Sequence, residues 1–268
     1  MSNWTKSELI VLPIALLIMV AISCFLGYFL QDKDEKIKNI PFQVIASVLL
    51  ALEVIKQVLH LVNHTYTTWQ IPLHFCSTFL IWLPLAAFAK GKTQRVGKIM
   101  SFCCGCLLLV SFYVSPRGII GNSCSNLFED FDTFHTFTYH HLVLLFLFLM
   151  FALHIYIPQK DDLKYYIVAY ACYAITATTF GHLLNTNYCN ILYSTIPVLE
   201  SVRLKAGQLV YTLLLAFLGL AGGLVFDHAY FAICNKIEHK KIASKQKAKN
   251  PQQTAVDVDD EEYKTKNV

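Results

Sequence analysis

Seven long apolar segments constrain this chain more than any other feature of its sequence. They run approximately from Leu9 to Leu30, Ile40 to Val62, Ile71 to Ala89, Ile99 to Val114, Phe137 to Ile157, Tyr165 to Leu184 and Leu209 to Ile233. A helix of about 20 apolar residues matches the hydrocarbon thickness of a bilayer. Inside lipid, backbone groups find partners only in helices or closed barrels, and none of these segments alternates apolar with polar as a barrel strand does. The expected fold is all-α, a seven-transmembrane-helix bundle over residues 1–234. Composition agrees, since 55% hydrophobic and 15% charged residues with a mean hydropathy of +0.47 leave too little polar side chain to coat a soluble domain. The first segment is too long for a signal-peptide core and no A-x-A-like site follows it, so it is kept as a helix.

Orientation follows from the cations. With seven spans, and counting the tail only as far as Lys249, fifteen Lys and Arg fall on the side of the C-terminus and four on the other. The positive-inside rule then puts the N-terminus lumenal or outside and the C-terminus in the cytosol. The basic residues thus report topology and not a nucleic-acid partner. Residues 235–268 carry a Lys-rich and then an Asp/Glu-rich block and read as a disordered cytosolic tail. Asn3 and Asn63 open glycosylation sequons on the outer side.

Polar residues inside the apolar segments carry the functional signal. Glu53, Lys56, Gln57 and His60 fall at i, i+3, i+4 and i+7 and so share one helix face. Ionisable groups at membrane depth face the bundle interior or a water-filled cavity, or else pair structurally with each other. The topology brings His74 and Cys76, the cluster His135, His140 and His141, and His182 with Asn185 and Asn187 to the same outer depth. That one-sided clustering points to a cavity open to the outer side. On a regular helix His74 and Cys76 lie about 200° apart and cannot share it. Asp227 and His228, near the end of the seventh segment, read as interfacial.

A Cys among histidines is a candidate nucleophile, because a thiolate needs a neighbour that takes its proton. Metal binding is the competing use of histidine, but no zincin-like H-E-x-x-H and no tight Cys/His quartet is present, so no metal is expected. No glycine-rich nucleotide loop occurs and no cofactor is expected. The C-x-x-C in Cys103-Cys104-Gly105-Cys106 reads as packing, as does the small-residue stretch Gly219 to Gly223. Cys124 and Cys189 both fall in long outer loops and are expected to pair if that compartment is oxidising.

Three stretches resemble the motifs of the YwaF-like integral membrane proteins, a family that includes the eukaryotic transmembrane protein 164 acyltransferases. They are Ile71-Pro72-Leu73-His74-Phe75-Cys76, His140-His141-Leu142-Val143 and Leu184-Asn185-Thr186-Asn187-Tyr188. The resemblance covers roughly Ile40 to Phe231. It implies movement of fatty acyl chains on phospholipids, including ether-linked ones, by a Cys nucleophile and a His partner. Carried over, Cys76 is the nucleophile. The base stays open between His140 and His141, with His140 the better match because the family commonly has His-Gly there. The family's usual Pro-Asp before the fifth helix is replaced by Ser115-Pro116-Arg117-Gly118.

The leading expectation is therefore a lipid acyltransferase. Cys76 attacks an acyl donor's ester carbonyl, a histidine shuttles the proton and a lysophospholipid takes the acyl group. Glu53, Lys56, His60, His74, Arg117, His182 and Asn187 are candidate substrate contacts, with Lys56, Arg117 or Asn187 suited to a phosphate or oxyanion. A lipid-ester hydrolase on the same scaffold is the alternative, as in the more distant androgen-induced-gene family. A seven-helix receptor or transporter is the non-enzymatic one. Partners are a phospholipid or lysophospholipid, an acyl donor and the membrane itself, either endoplasmic reticulum or plasma membrane; oligomeric state stays open.

Overall fold

The computed structural model describes residues 4–114, 116–120, 122–194 and 196–249, with backbone alone at 117–118 and 238–249. Asn3, the Arg117 side chain and the tail from residue 250 lie outside the described residues. The chain divides into a compact unit over residues 1–227 and a second unit over 228–268, whose described part is helix. Ten α-helices occur among the described residues: α1 (Lys6–Leu30), α2 (Glu35–Lys38), α3 (Ile40–Val62), α4 (Phe79–Phe88), α5 (Gly91–Val114), α6 (Pro116–Ile120), α7 (Phe131–Ala152), α8 (Asp162–Leu183), α9 (Pro197–Ala206) and α10 (Gln208–Lys249). No strand occurs among them.

Each of the seven apolar segments contains helix. Five are long and apolar enough to cross a membrane: Lys6–Leu30, Glu35–Val62, Gly91–Val114, Phe131–Ala152 and Gln208–Ile237. The protein is a multi-pass helical membrane protein. The other two segments fall short for different reasons. α8 carries Asp162, Lys164 and several tyrosines, which dilute its hydropathy. The third segment is helical only from Cys76, as a 3-10 turn (Cys76–Thr78) that continues into α4. Pro72 lacks an N–H and disfavours helix in the residue before it. Upstream, Thr67 and Gln70 cap another 3-10 turn, Thr68–Gln70, leaving residues 71–75 as irregular backbone.

Two helix starts bear on the site. At α1, Thr5 donates its backbone N–H to Glu8 Oε2 (2.9 Å), and Glu8 also accepts the Cys124 N–H (2.8 Å) and the Ser123 hydroxyl (3.0 Å). A fully buried carboxylate thereby docks the head of α1 on the loop before α7. At α7, Asp130 accepts the Thr133 N–H at 3.0 Å. This N-cap starts the helix six residues before Phe137, and the Thr133 hydroxyl holds the carboxyl below its ordinary range. An apolar window misses that turn because it is polar.

The core is close-packed around α5. Cys103, Cys104 and Cys106 are all buried in it, as expected for packing cysteines. At Gly97 an added Cβ would meet backbone atoms of α4, Leu85 C among them at 2.6 Å, so glycine sets the distance between the two helices. Tyr166 of α8 donates to the Gly219 carbonyl at 3.0 Å, and a Cβ on Gly223 would overlap the same hydroxyl, so the small-residue stretch seats tyrosines. Away from the histidines, Arg95 Nε donates to Asp162 Oδ1 (2.7 Å) and the Tyr156 hydroxyl donates to Asp227 Oδ1 (2.6 Å). Asp227, expected at the interface, is instead buried in this network.

Candidate active site

Glu53 organises the polar face of α3. Gln57 donates to its Oε1 at 2.6 Å and Lys56 lies 2.7 Å from the same oxygen. Gln57 reaches on to the Gln70 carbonyl (2.7 Å), which ties the loop before Cys76 to α3. From α7, His135 brings Nε2 to 3.4 Å from Glu53 Oε2. His60, one turn further along, spans from the Thr65 hydroxyl (2.9 Å) to Asp132 (3.1 Å). The expected cluster on α3 is therefore real, and each member has a partner on another element or within the face.

These groups line a cavity of about 390 Å³. Its wall takes Glu53, Lys56 and His60 from α3, His74, Cys76 and Ser77 from the segment before α4, and His135, Tyr139 and His140 from α7. His74 and Cys76 share the cavity although a regular helix would set them apart. The reason is the irregular backbone at 71–75, which frees His74 from helical spacing; its ring packs on Trp69 and Tyr188.

Cys76 is held from the α7 side. The Tyr139 hydroxyl donates to the Cys76 carbonyl oxygen at 3.0 Å, fixing the 3-10 turn against that helix. Next to Tyr139, His140 donates Nδ1–H to the Thr136 carbonyl (2.7 Å). A carbonyl only accepts, so Nδ1 carries a proton, and in the neutral ring Nε2 keeps its lone pair. Nε2 is buried and has no hydrogen-bond partner among the described residues. A half-buried thiol and an uncommitted imidazole nitrogen on one cavity are the parts of a nucleophile–base pair.

The model of the TMEM164 family matches residues 2–226, most of the chain. The chain belongs to the TMEM164 family. The match takes in α1, which the motif resemblance had left out. No curated protein and no solved structure matches the chain.

Within this TMEM164-family chain the remaining sequence candidates part company. His141 turns away from the cavity, as adjacent positions on a helix must. Its Nδ1–H donates to the Phe137 carbonyl (2.6 Å), and its ring lies against Phe137 and Phe112 beside an apolar crevice lined by Leu12, Leu16 and Met19 of α1. His182 is exposed at the end of α8 and does not line the cavity. Asn187 is a loop staple: its side chain accepts from the Leu192 N–H (2.8 Å) and donates to the Tyr193 carbonyl (3.0 Å). Arg117's side chain lies outside the described residues. His135, Tyr139 and Asp132 are among the cavity residues missing from the sequence candidates. His135 stood in the noted histidine cluster, whereas a tyrosine in an apolar helix gives no sequence signal.

The expected Cys124–Cys189 disulfide is not formed, and both are free. Cys124 is buried beside Glu8, and its backbone N–H binds that carboxylate. The Cys189 thiol shares a hydrogen bond with the Tyr173 hydroxyl (2.6 Å) and approaches the Leu73 carbonyl (3.8 Å). Burial pushes the Cys189 thiol up to about 11 against the opposing pull of Tyr173. The two thiols thus sit on different neighbours, which loop position alone does not reveal.

Proposed function

We propose that this protein transfers fatty acyl chains between phospholipids and lysophospholipids, ether-linked ones included, through a covalent Cys76 intermediate. The observation that carries this reading is the shared cavity of Cys76 and His140, with the imidazole's Nε2 buried and uncommitted. His140 Nε2 accepts the thiol proton. The thiolate attacks the donor's ester carbonyl, the donor leaves as lysophospholipid, and an acceptor hydroxyl then attacks the thioester. Lys56, His60 and His74 bind the head group in this reading, with Lys56 held by Glu53.

The membrane reading completes the geometry. We place the N-terminus on the outer or lumenal side and the C-terminus in the cytosol, from the bias of Lys and Arg. On this reading residues 1–234 form the transmembrane domain, the third and sixth segments also cross, and residues 235–268 are the cytosolic tail. α4 alone spans about 15 Å, so its crossing is completed by residues 71–78. Non-helical backbone is tolerated at membrane depth where it lines a cavity, which residues 74, 76 and 77 do. The ester groups of a lipid lie near the boundary of head groups and hydrocarbon, the depth given to Cys76.

The test is transfer by the purified protein in liposomes, from a labelled diacyl phospholipid to added lysophospholipid. Wild type should transfer and Cys76→Ala should not, with both proteins equally folded. Turnover that ignores added lysophospholipid and releases free fatty acid would make it a hydrolase instead.

A further inference from the structure

We propose that His135, paired with Glu53, is the acid–base group for the alcohol oxygen of the lipid, while His140 serves only the thiol. The proposal rests on the acyl-transfer reading above and divides its two protons between two imidazoles.

Both rings line the same cavity and both are buried, yet their surroundings differ. His140 spends Nδ1–H on a backbone carbonyl at 2.7 Å, which fixes the tautomer so that the neutral ring has its free acceptor at Nε2. His135 Nε2 also makes no hydrogen bond among the described residues, but a carboxylate oxygen of Glu53 lies 3.4 Å from it, so a proton arriving on this ring faces an anion. On this proposal His140 receives a proton and His135 holds one. A carboxylate that steadies a histidine is also the third member that acid–base sites recruit to orient the base.

Their order along the helix fits the lipid. His135 lies five residues nearer the head of α7, about 7.5 Å along its axis. That end carries Asp132, which meets His60 of α3, and in the proposed orientation it is the head-group side of the cavity. The glycerol oxygen of an ester faces the head group and its acyl carbon faces the hydrocarbon. Tyr139 stands between the rings, 5.7 Å from each ring centroid, and holds the Cys76 turn by its hydroxyl.

In the proposed cycle the donor ester meets a neutral His140 and a His135 that carries both ring protons. His140 takes the proton from the Cys76 thiol; sulfur forms the bond to the acyl carbon; the carbon–oxygen bond breaks and the leaving alkoxide takes the proton of His135. The acceptor then reverses each step: its hydroxyl proton passes to His135, its oxygen attacks the thioester, and the departing thiolate recovers the proton held by His140. Nothing is oxidised or reduced, and the enzyme returns to its starting state.

A donor whose leaving group needs no proton separates the two roles. With a long-chain p-nitrophenyl ester, wild type should give a burst of nitrophenolate and then discharge its thioester to lysophospholipid. His135→Asn should keep that burst and the rate of Cys76 alkylation by iodoacetamide across pH, but discharge the thioester on the order of a hundredfold more slowly. His140→Asn should lose the burst and slow the alkylation. Glu53→Gln should share the His135→Asn behaviour in milder form, and serves as the second variant if His135→Asn does not fold. Normal discharge in both His135→Asn and Glu53→Gln, or a burst lost together with slowed alkylation in either folded variant, overturns the assignment. Full turnover in Cys76→Ala would instead overturn the covalent reading beneath it.

Discussion

The hydroxyl of Tyr139 donates to the carbonyl oxygen of Cys76 across 3.0 Å. This bond joins two segments distant in sequence and sets the thiol's turn beside the residue that precedes His140. Tyr139→Phe removes it and leaves the ring. The net loss for such a bond is about 1 kcal/mol, so a modest fall in melting temperature should accompany a larger fall in acyl transfer. Melting curves and transfer rates on the same preparation check both.

The Arg95–Asp162 pair is the most exacting electrostatic element away from the cavity. Asp162 is 1% exposed and is also reached by the Gln159 N–H at 2.8 Å. Arg95→Ala leaves a buried carboxylate without its cation and should cost about 3 kcal/mol or more. The expected result is poor accumulation and a lowered melting temperature in detergent, partly restored by pairing it with Asp162→Asn.

Gly97→Ala should destabilise by on the order of 1–3 kcal/mol, because overpacked atoms must move and here the obstacle is α4 backbone. Gly91, with no atom within 4 Å of an added Cβ but φ +60, tests the other cause. Its alanine variant strains only the local turn and should leave the α4–α5 packing intact, as judged by proteolysis of the folded protein.

Cys189 should resist alkylation at neutral pH. Its thiol, raised to about 11 chiefly by burial, stays protonated at pH 7 to 8 and becomes reactive only as pH climbs toward that value. Cys124 is likewise raised to about 11 by burial, with Glu8 adding to the rise. Mass-spectrometric alkylation at pH 7.5 and pH 10 should show both thiols labelled more at the higher pH. A reductant should not change the count under oxidising preparation, because no Cys124–Cys189 bond forms.

Much of this was legible in the sequence. Long apolar runs located the helices, five of them long and apolar enough to cross a membrane, because burial in lipid demands uninterrupted apolar residues. Spacing alone placed Glu53, Lys56, Gln57 and His60 on one face. The irregular entry to α4 was not legible: helical periodicity assumes a regular helix, whereas Pro72 and the capped turn at Thr67 to Gln70 break it. For the same reason the sequence separated His74 from Cys76. It left His140 and His141 open, since only packing against α1 and α5 decides which of two adjacent rings faces the cavity. Glu8 and Asp227 show the same limit, as their partners lie far along the chain.

Orientation has its own test. Protease added to sealed vesicles with the cytosolic face outward should remove the tail and spare the helices. A protected tail would place the cavity on the cytosolic side.

The most direct measurement is peptide mass spectrometry of the full-length protein after incubation with a labelled phospholipid. The account predicts an acyl mass on the peptide carrying Cys76, removed by hydroxylamine and discharged by added lysophospholipid. Lipid turnover without any acyl group on Cys76, or undiminished in Cys76→Ala, would contradict it.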